Sequence, residues 1–256
     1  MLPFPHHCLF GIPMQSTLFI LGAGVYSHLQ LTLETVQALR SCQTVFVLHS
    51  DSRVIDSIGE YCNDVRSLFD LYEDRNQKRV DIYKRIADRV VDVASTNSRT
   101  AFLVFGHPFF LVSACEYAAE RGREAGFKVR TLPAISTFDT LLTDLQHDLG
   151  YAVQIYCAQN LVRNEFVIDA RVPLLLFQLT QFENEYLIDD KPQPSVFEPL
   201  VSYLLRYFPA DHICTMVHSA AHLLETSKLV EFPLSQLCER DDLMLQLRPT
   251  LYLPGL

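Results

Sequence analysis

The stretch that most constrains this chain runs from Thr100 to Ser113, T-A-F-L-V-F-G-H-P-F-F-L-V-S. Ala101 to Phe105 is a continuous apolar run of strand length, and it stops at Gly106-His107-Pro108 before helical spacing resumes. A strand covered on both faces belongs to an α/β sheet. In open sheets of this kind ligands gather beyond the carboxyl ends of the strands, where turns bare backbone N–H groups and the next helix presents its N-terminus. Gly106 allows close backbone approach, Pro108 fixes the turn, and His107 offers a directional polar group. On these residues alone the turn reads equally as a site edge or as an ordinary strand-to-helix connection with a solvated histidine.

The remainder of the chain repeats the alternation. Ser16 to Leu21 reads as a strand, Gly22-Ala23-Gly24 as its turn, Thr32 to Arg40 as a helix and Thr44 to Leu48 as a second buried strand, which makes a βαβ unit. Its G-x-G lacks the third glycine of a dinucleotide fingerprint, since Ser27 stands there, although Asp51 does follow the second strand. Ser52 to Ser95 has helical spacing, broken by a polar interval at Glu73 to Lys78. Thr100 to Phe105 is the next strand, Leu111 to Ala125 a helix stopped by Gly126, and Lys128 to Leu132 a strand. Pro133 to Thr137 forms a second strand-to-helix turn, with Ser136 or Thr137 as cap of a helix to Leu145 and Asp139 in its first turn.

Beyond Gly150 the rhythm changes. Tyr151 to Ala158 and Val172 to Leu179 read as strands without a full helix between them, Glu183 to Ser195 as a polar loop, and Phe197 to Phe208 as a helix. His212 to Val217, Leu229 to Phe232 and Thr250 to Leu253 read as further strands. The expectation is an α/β chain in two domains: an extension at 1–15, a doubly wound, mostly parallel sheet at 16–133, and a mixed-sheet α/β domain at 134–256.

Composition bounds the function. A formal net charge of -9 argues against nucleic acid or an anionic membrane as partner. The seven cysteines are scattered without a C-x-x-C pair, as expected of reduced thiols in a cytoplasmic protein rather than a disulfide frame or zinc site. No run approaches transmembrane length, and Met1 to Gln15 lacks the pattern of a signal peptide. His212, His218 and His222 with Glu225 contain no H-E-x-x-H, and a strand end separates His212 from the others, so no metal site is expected.

Several segments in order resemble the tetrapyrrole-methylase family (class III) of S-adenosylmethionine-dependent methyltransferases. They are L-G-A-G-V at Leu21 to Val25, L-T-L-E at Leu31 to Glu34, F-G-H-P at Phe105 to Pro108 and E-A-G-F-K-V-R-T-L-P-A-I-S at Glu124 to Ser136. Y-C-A at Tyr156 to Ala158, L-F-Q at Leu176 to Gln178, Ser219-Ala220 and T-L-Y-L-P at Thr250 to Pro254 continue the series. Within the family the chain is similar to borosin-type peptide backbone N-methyltransferases. The resemblance implies the two-domain tetrapyrrole-methylase fold, a homodimer, and S-adenosylmethionine held between the domains and released as S-adenosylhomocysteine. It implies cofactor contacts at His107, Pro108, Phe110, Leu111, Ser136, Thr137, Ala158, Gln178, Ser219, Ala220 and Thr250. Taken one at a time, each of these positions also suits core packing or helix capping.

Arg79 and Tyr83 are four apart and share one face of a helix, with Tyr72 just before it begins. Read alone, this face could be a solvated one laced with Arg79, Asp81 and Arg85. The resemblance gives it a catalytic reading. An amide nitrogen is a poor nucleophile because its lone pair is delocalised into the carbonyl. A guanidinium at the amide oxygen stabilises the imidate, and a tyrosine whose pKa the same cation lowers accepts the amide proton. Arg79 is assigned the first role, Tyr83 the second, and Tyr72 that of a further hydroxyl.

Phe105 and Phe109 stand where the borosin pattern has a tyrosine and a glycine, and Phe109 is expected to narrow the pocket. Since the sequence ends at Leu256, just after the last matching strand, a peptide substrate is expected to be a separate precursor chain, with Glu183 to Pro194 as a docking surface or a plain solvated loop. The alternatives are a methylase of a small, tetrapyrrole-like molecule and a non-catalytic relative that serves as a binding or scaffolding partner.

Overall fold

Five parallel strands carry the first half of the chain: β1 (Thr17–Gly22), β2 (Thr44–Leu48), β3 (Val65–Ser67), β4 (Arg99–Val104) and β5 (Lys128–Thr131), in the order β3-β2-β4-β1-β5. The computed structural model describes residues 15–49, 52–187, 192–222, 224–243 and 248–256. The expected extension, apart from Gln15, and Asp51 therefore lie outside the described residues. β4 and β1 sit centrally, with Leu21 opposite Leu103 and Gly22 opposite Val104. Alternate residues of these strands feed two cores. On one face Ile20, Phe46 and Phe102 pack with Ile82, Ile86 and Val90 of α3 (Arg79–Ala94) and Ala118 of α4 (Ser113–Glu124). On the other, Leu21, Val47 and Leu103 pack with Leu39 of α1 (Leu33–Ser41) and with Val54 and Ile58 of α2 (Ser52–Ile58). Burial on both faces is why these strands are apolar runs and not alternating ones.

The segment expected to be helical from Ser52 to Ser95 is more divided. It holds α2, the edge strand β3, a 3-10 turn at Phe69–Tyr72 and then α3. The edge strand is three residues long and two of them are exposed, so it leaves no apolar signature.

α5 (Thr137–Leu145) follows the second turn with the expected boundaries, held by a full capping box: Ser136 Oγ accepts from Asp139 N at 3.3 Å while Ser136 N donates to Asp139 Oδ2 at 2.6 Å. The second sheet contains β6 (Gln154–Cys157), β7 (Leu174–Phe177), β8 (Ile213–His218), β9 (Lys228–Pro233) and β10 (Thr250–Leu253) in the order β6-β7-β10-β8-β9. Only β6 and β7 run parallel, so the sheet is mixed as expected. The six-residue helix α6 (Ala158–Arg163) lies between them, and Ala158 opens that helix instead of ending a strand. With α7 (Glu198–Leu204) it covers one face, around Leu176, Phe197, Met216 and Leu251. On the other face Leu175, Phe177 and Val217 meet Leu141 of α5 and Phe110 of the G-H-P turn. The Phe110 and Phe177 rings meet edge-on at 5.1 Å, tying the end of β4 to the second sheet. Among the described residues no helix is long and apolar enough to cross a membrane.

Candidate active site

At the carboxyl end of β4 the chain turns through Gly106, whose φ of 69° is in the left-handed region. Its N–H donates to the Gly24 carbonyl at 2.9 Å, locking the turn after β4 to the turn after β1. A side chain at Gly106 would meet no atom within 4 Å, so this bend faces open space. His107 Nδ1 accepts from the Phe109 amide at 3.1 Å and the His107 carbonyl accepts from the Phe110 amide at 3.1 Å, which shapes the run into α4.

That open space belongs to a cleft of about 500 Å³, a size suited to a small-molecule ligand. The structure brings nine of the expected site residues to its lining: Tyr72, Arg79, Tyr83, His107, Phe110, Leu111, Thr137, Gln178 and Thr250. Leu111 and Gln178 have φ of 62° and 60°, unfavourable for residues with a Cβ, and both face this cleft. Backbone strain of this kind concentrates at functional sites. Another hollow, of about 490 Å³, is lined by Thr17, Arg99 and Lys128 at the amino ends of β1, β4 and β5, the end where open α/β sheets do not hold ligands.

The remaining expected residues stand behind the lining or away from it. Pro108 is buried against the turn after β1, Ser136 is committed to capping α5, and Ala158 is buried at the start of α6. Ser219 Oγ donates to Asp144, which also accepts from Ser227 Oγ at 2.6 Å, while the Ala220 amide donates to Ser227 Oγ at 3.0 Å. This network pins the end of β8 to α5. Phe109 is 40% exposed and is not part of the lining, so it does not narrow the cleft as expected. His212 Nε2 lies 3.0 Å from the Pro254 carbonyl, and Glu225 accepts from the Ala221 amide at 3.0 Å. Among the described residues no group of three His, Cys, Asp or Glu side chains converges as metal ligands.

Arg79 opens α3. Its Nη2 donates to the Asn184 carbonyl at 2.5 Å and its amide to the Glu185 carbonyl at 2.9 Å, while Lys78 Nζ pairs with Glu185 at 2.6 Å. Arg79 Nε is buried without a partner, a donor held ready on the cleft wall. Tyr83 lies one turn along the same face. The expectation of a lowered tyrosine pKa does not hold for the structure as it stands. Burial pushes Tyr83 above its ordinary value, and Arg79 and Arg248 offset only part of that. Tyr72 is also raised, mainly by burial and next by Tyr83.

Arg248 was not expected from the sequence. Its guanidinium carbon lies 4.4 Å from the centroid of the Phe105 ring, a cation–π seat, and its side chain is exposed to the cleft. The signal was its place directly before Pro249-Thr250, where Thr250 was already an expected site residue. His49 packs against the same ring at 5.5 Å. Arg75, Arg79 and Arg248 line the cleft, and among the described residues no Asp or Glu does.

Comparison with known proteins identifies the fold and the family. A uroporphyrin-III-C-methyltransferase from Thermus thermophilus superposes with a TM-score of 0.64 at 15% identity, over 94% of this chain and 92% of that one. The methyltransferase CobJ gives 0.63 at 15% identity over 94% of each. In sequence the chain is 26% identical over 256 residues to a methyltransferase/ribosomally synthesized type II borosin cyclic peptide precursor of Phlebiopsis gigantea, covering 94% of this chain and 43% of the relative. The dendrothelin A precursor methyltransferase of Dendrothele bispora is 26% identical over 240 residues, 87% of this chain and 54% of the relative. The chain thus spans about half the length of the curated relatives it matches. Residues 17–230, well over half of the chain, match the family described as Tetrapyrrole (Corrin/Porphyrin) Methylases, and the chain belongs to that family.

Proposed function

We propose that this chain is an S-adenosylmethionine-dependent methyltransferase that N-methylates backbone amides of a precursor peptide. The observation that carries the reading is the meeting of Tyr72, Arg79 and Tyr83 with the G-H-P turn in one cleft. The names of the sequence relatives, which join a methyltransferase to a ribosomally synthesized peptide precursor, support the substrate class. The residues present suit the cofactor. The open bend at Gly106 admits a ligand to the backbone, Phe110 and Leu111 give apolar walls, and the left-handed turn at Gln178 presents main-chain groups. We assign its retention to these residues with His107, Thr137 and Thr250, backed by Pro108, Ser136, Ala158, Ser219 and Ala220. When bound, S-adenosylmethionine supplies an electrophilic methyl group on a sulfonium.

The protein's part is to make the amide reactive and to position it. Arg79 stabilises negative charge on the amide oxygen, Tyr83 as its phenolate accepts the amide proton and becomes the phenol, and Tyr72 holds the amide by a further hydrogen bond. Because burial raises the Tyr83 phenol, proton acceptance depends on the neighbouring cations. We take the protein to be a homodimer, carried over from the family likeness.

Titration calorimetry with S-adenosylmethionine and S-adenosylhomocysteine on wild type and His107→Ala tests the cofactor assignment, with binding expected in the first and weakened in the second. Mass spectrometry of peptides incubated with protein and S-adenosylmethionine is expected to show gains in steps of one methyl group on backbone nitrogens. No cofactor binding by the wild type refutes the methyltransferase reading. The three arginines of the cleft favour one second reading, a small tetrapyrrole-like substrate bearing carboxylates. Methyl transfer to a porphyrinogen and to no peptide would select it, and cofactor binding without transfer to either would mark a binding partner.

A further inference from the structure

We propose that Arg248 is a positioning residue of this site, a second cation that acts with Arg79 through the Tyr83 phenol to favour its ionised form. The two guanidiniums reach the cleft from unrelated parts of the fold, Arg79 from the first turn of α3 and Arg248 from the approach to β10. Both line the same cleft as Tyr72 and Tyr83. Arg248 has no carboxylate against it among the described residues; its neighbours in charge are Tyr72 and Tyr83. Arg248 is exposed to the open cleft, so its charge is presented to whatever negative charge the site forms.

The seat of Arg248 supports this. The Phe105 ring, at 4.4 Å, holds the guanidinium through its π face without neutralising it, as a carboxylate would. Among the described residues the titratable groups that line this cleft beside the tyrosine pair are His49, Arg75, Arg79, His107, Tyr186 and Arg248, and Cys115 of α4 lies near Tyr72. Burial opposes ionisation of Tyr83, and Arg79 and Arg248 are the two charges that favour it. The proposal rests on the methyltransferase reading only for the purpose of that ionisation; whether Arg248 acts on Tyr83 is tested on the chain alone.

The test needs no substrate. 3-Fluorotyrosine is placed at position 83 and its ionisation is followed by fluorine NMR against pH, in wild type, Arg248→Gln, Arg248→Lys and Phe105→Leu, with S-adenosylhomocysteine calorimetry alongside. The expected result is an apparent ionisation pH about one unit or more higher in Arg248→Gln, close to wild type in Arg248→Lys, and intermediate in Phe105→Leu, where both charges remain but the ring seat is gone. Coincident titrations in wild type and Arg248→Gln overturn the proposal. If Arg248→Gln does not fold, Phe105→Leu decides in the same way, a titration unchanged from wild type refuting it. Loss of cofactor binding by the wild type would overturn the methyltransferase reading and leave the Arg248–Tyr83 comparison intact.

Discussion

A Cβ placed on Gly22 would stand 2.2 Å from the carbonyl oxygen of Gly106. The same methyl would be 2.6 Å from the Ala134 side chain, so the turns after β1, β4 and β5 close on one point where only hydrogen fits. Gly22→Ala is expected to destabilise the protein by about 1–3 kcal/mol or more, because backbone and not a flexible side chain must move. It is also expected to weaken S-adenosylhomocysteine binding by spreading the G-H-P turn. Denaturant midpoints and calorimetry on the same samples check both.

Arg79→Gln keeps a hydrogen-bonding side chain and removes the charge. If Arg79 stabilises the imidate, the rate of methyl transfer is expected to fall about 10²- to 10³-fold, as for loss of one oxyanion donor. S-adenosylhomocysteine affinity is expected to change far less. Single-turnover mass spectrometry beside cofactor titration separates the two effects.

Burial pushes the Cys214 thiol up to about 12, and Cys42 likewise to about 12. Unfolded thiols ionise near pH 8.5. A folded pKa raised in this way gives stability that is complete below the unfolded value and is lost as pH rises toward the folded one. Stability is therefore expected to fall between about pH 9 and about pH 12, by up to about 1.4 kcal/mol per pH unit for each thiol. Cys214→Ala should flatten that slope, as read from urea midpoints at about pH 8 and about pH 10.5.

Asp144 accepts from both Ser219 and Ser227. Asp144→Ala leaves two hydroxyls without their acceptor and frees the end of β8 from α5. A loss of about 1–3 kcal/mol is expected in equilibrium unfolding.

Much of this arrangement could be read along the chain where one segment's own residues decide its structure. β2 and β10 are apolar runs covered on both sides, and Ser136 with Asp139 writes the start of α5 in four residues. β3 was hidden because Val65-Arg66-Ser67 owes its conformation to pairing with β2 and not to its own apolar pattern. The Arg79–Tyr83 spacing could be read as well, but not that burial would outweigh the cation at the phenol, which depends on walls from several elements. Arg248 escaped for the same reason. An isolated arginine before a strand carries no functional signal until the fold sets it over Phe105.

The start of α3 has no side-chain cap of its own; the Arg79 amide is satisfied by the Glu185 carbonyl, which arrives from beyond β7. The order of synthesis then matters. A nascent chain that has delivered β1 to β5 holds every strand of the parallel sheet, yet the first turn of α3 still lacks the acceptor that closes it. That turn is expected to fray until the segment around Glu185 has been delivered and docked. The site is thus completed last, and a fragment ending near Gly150 would show native sheet protection in hydrogen exchange alongside an unprotected Arg79 amide.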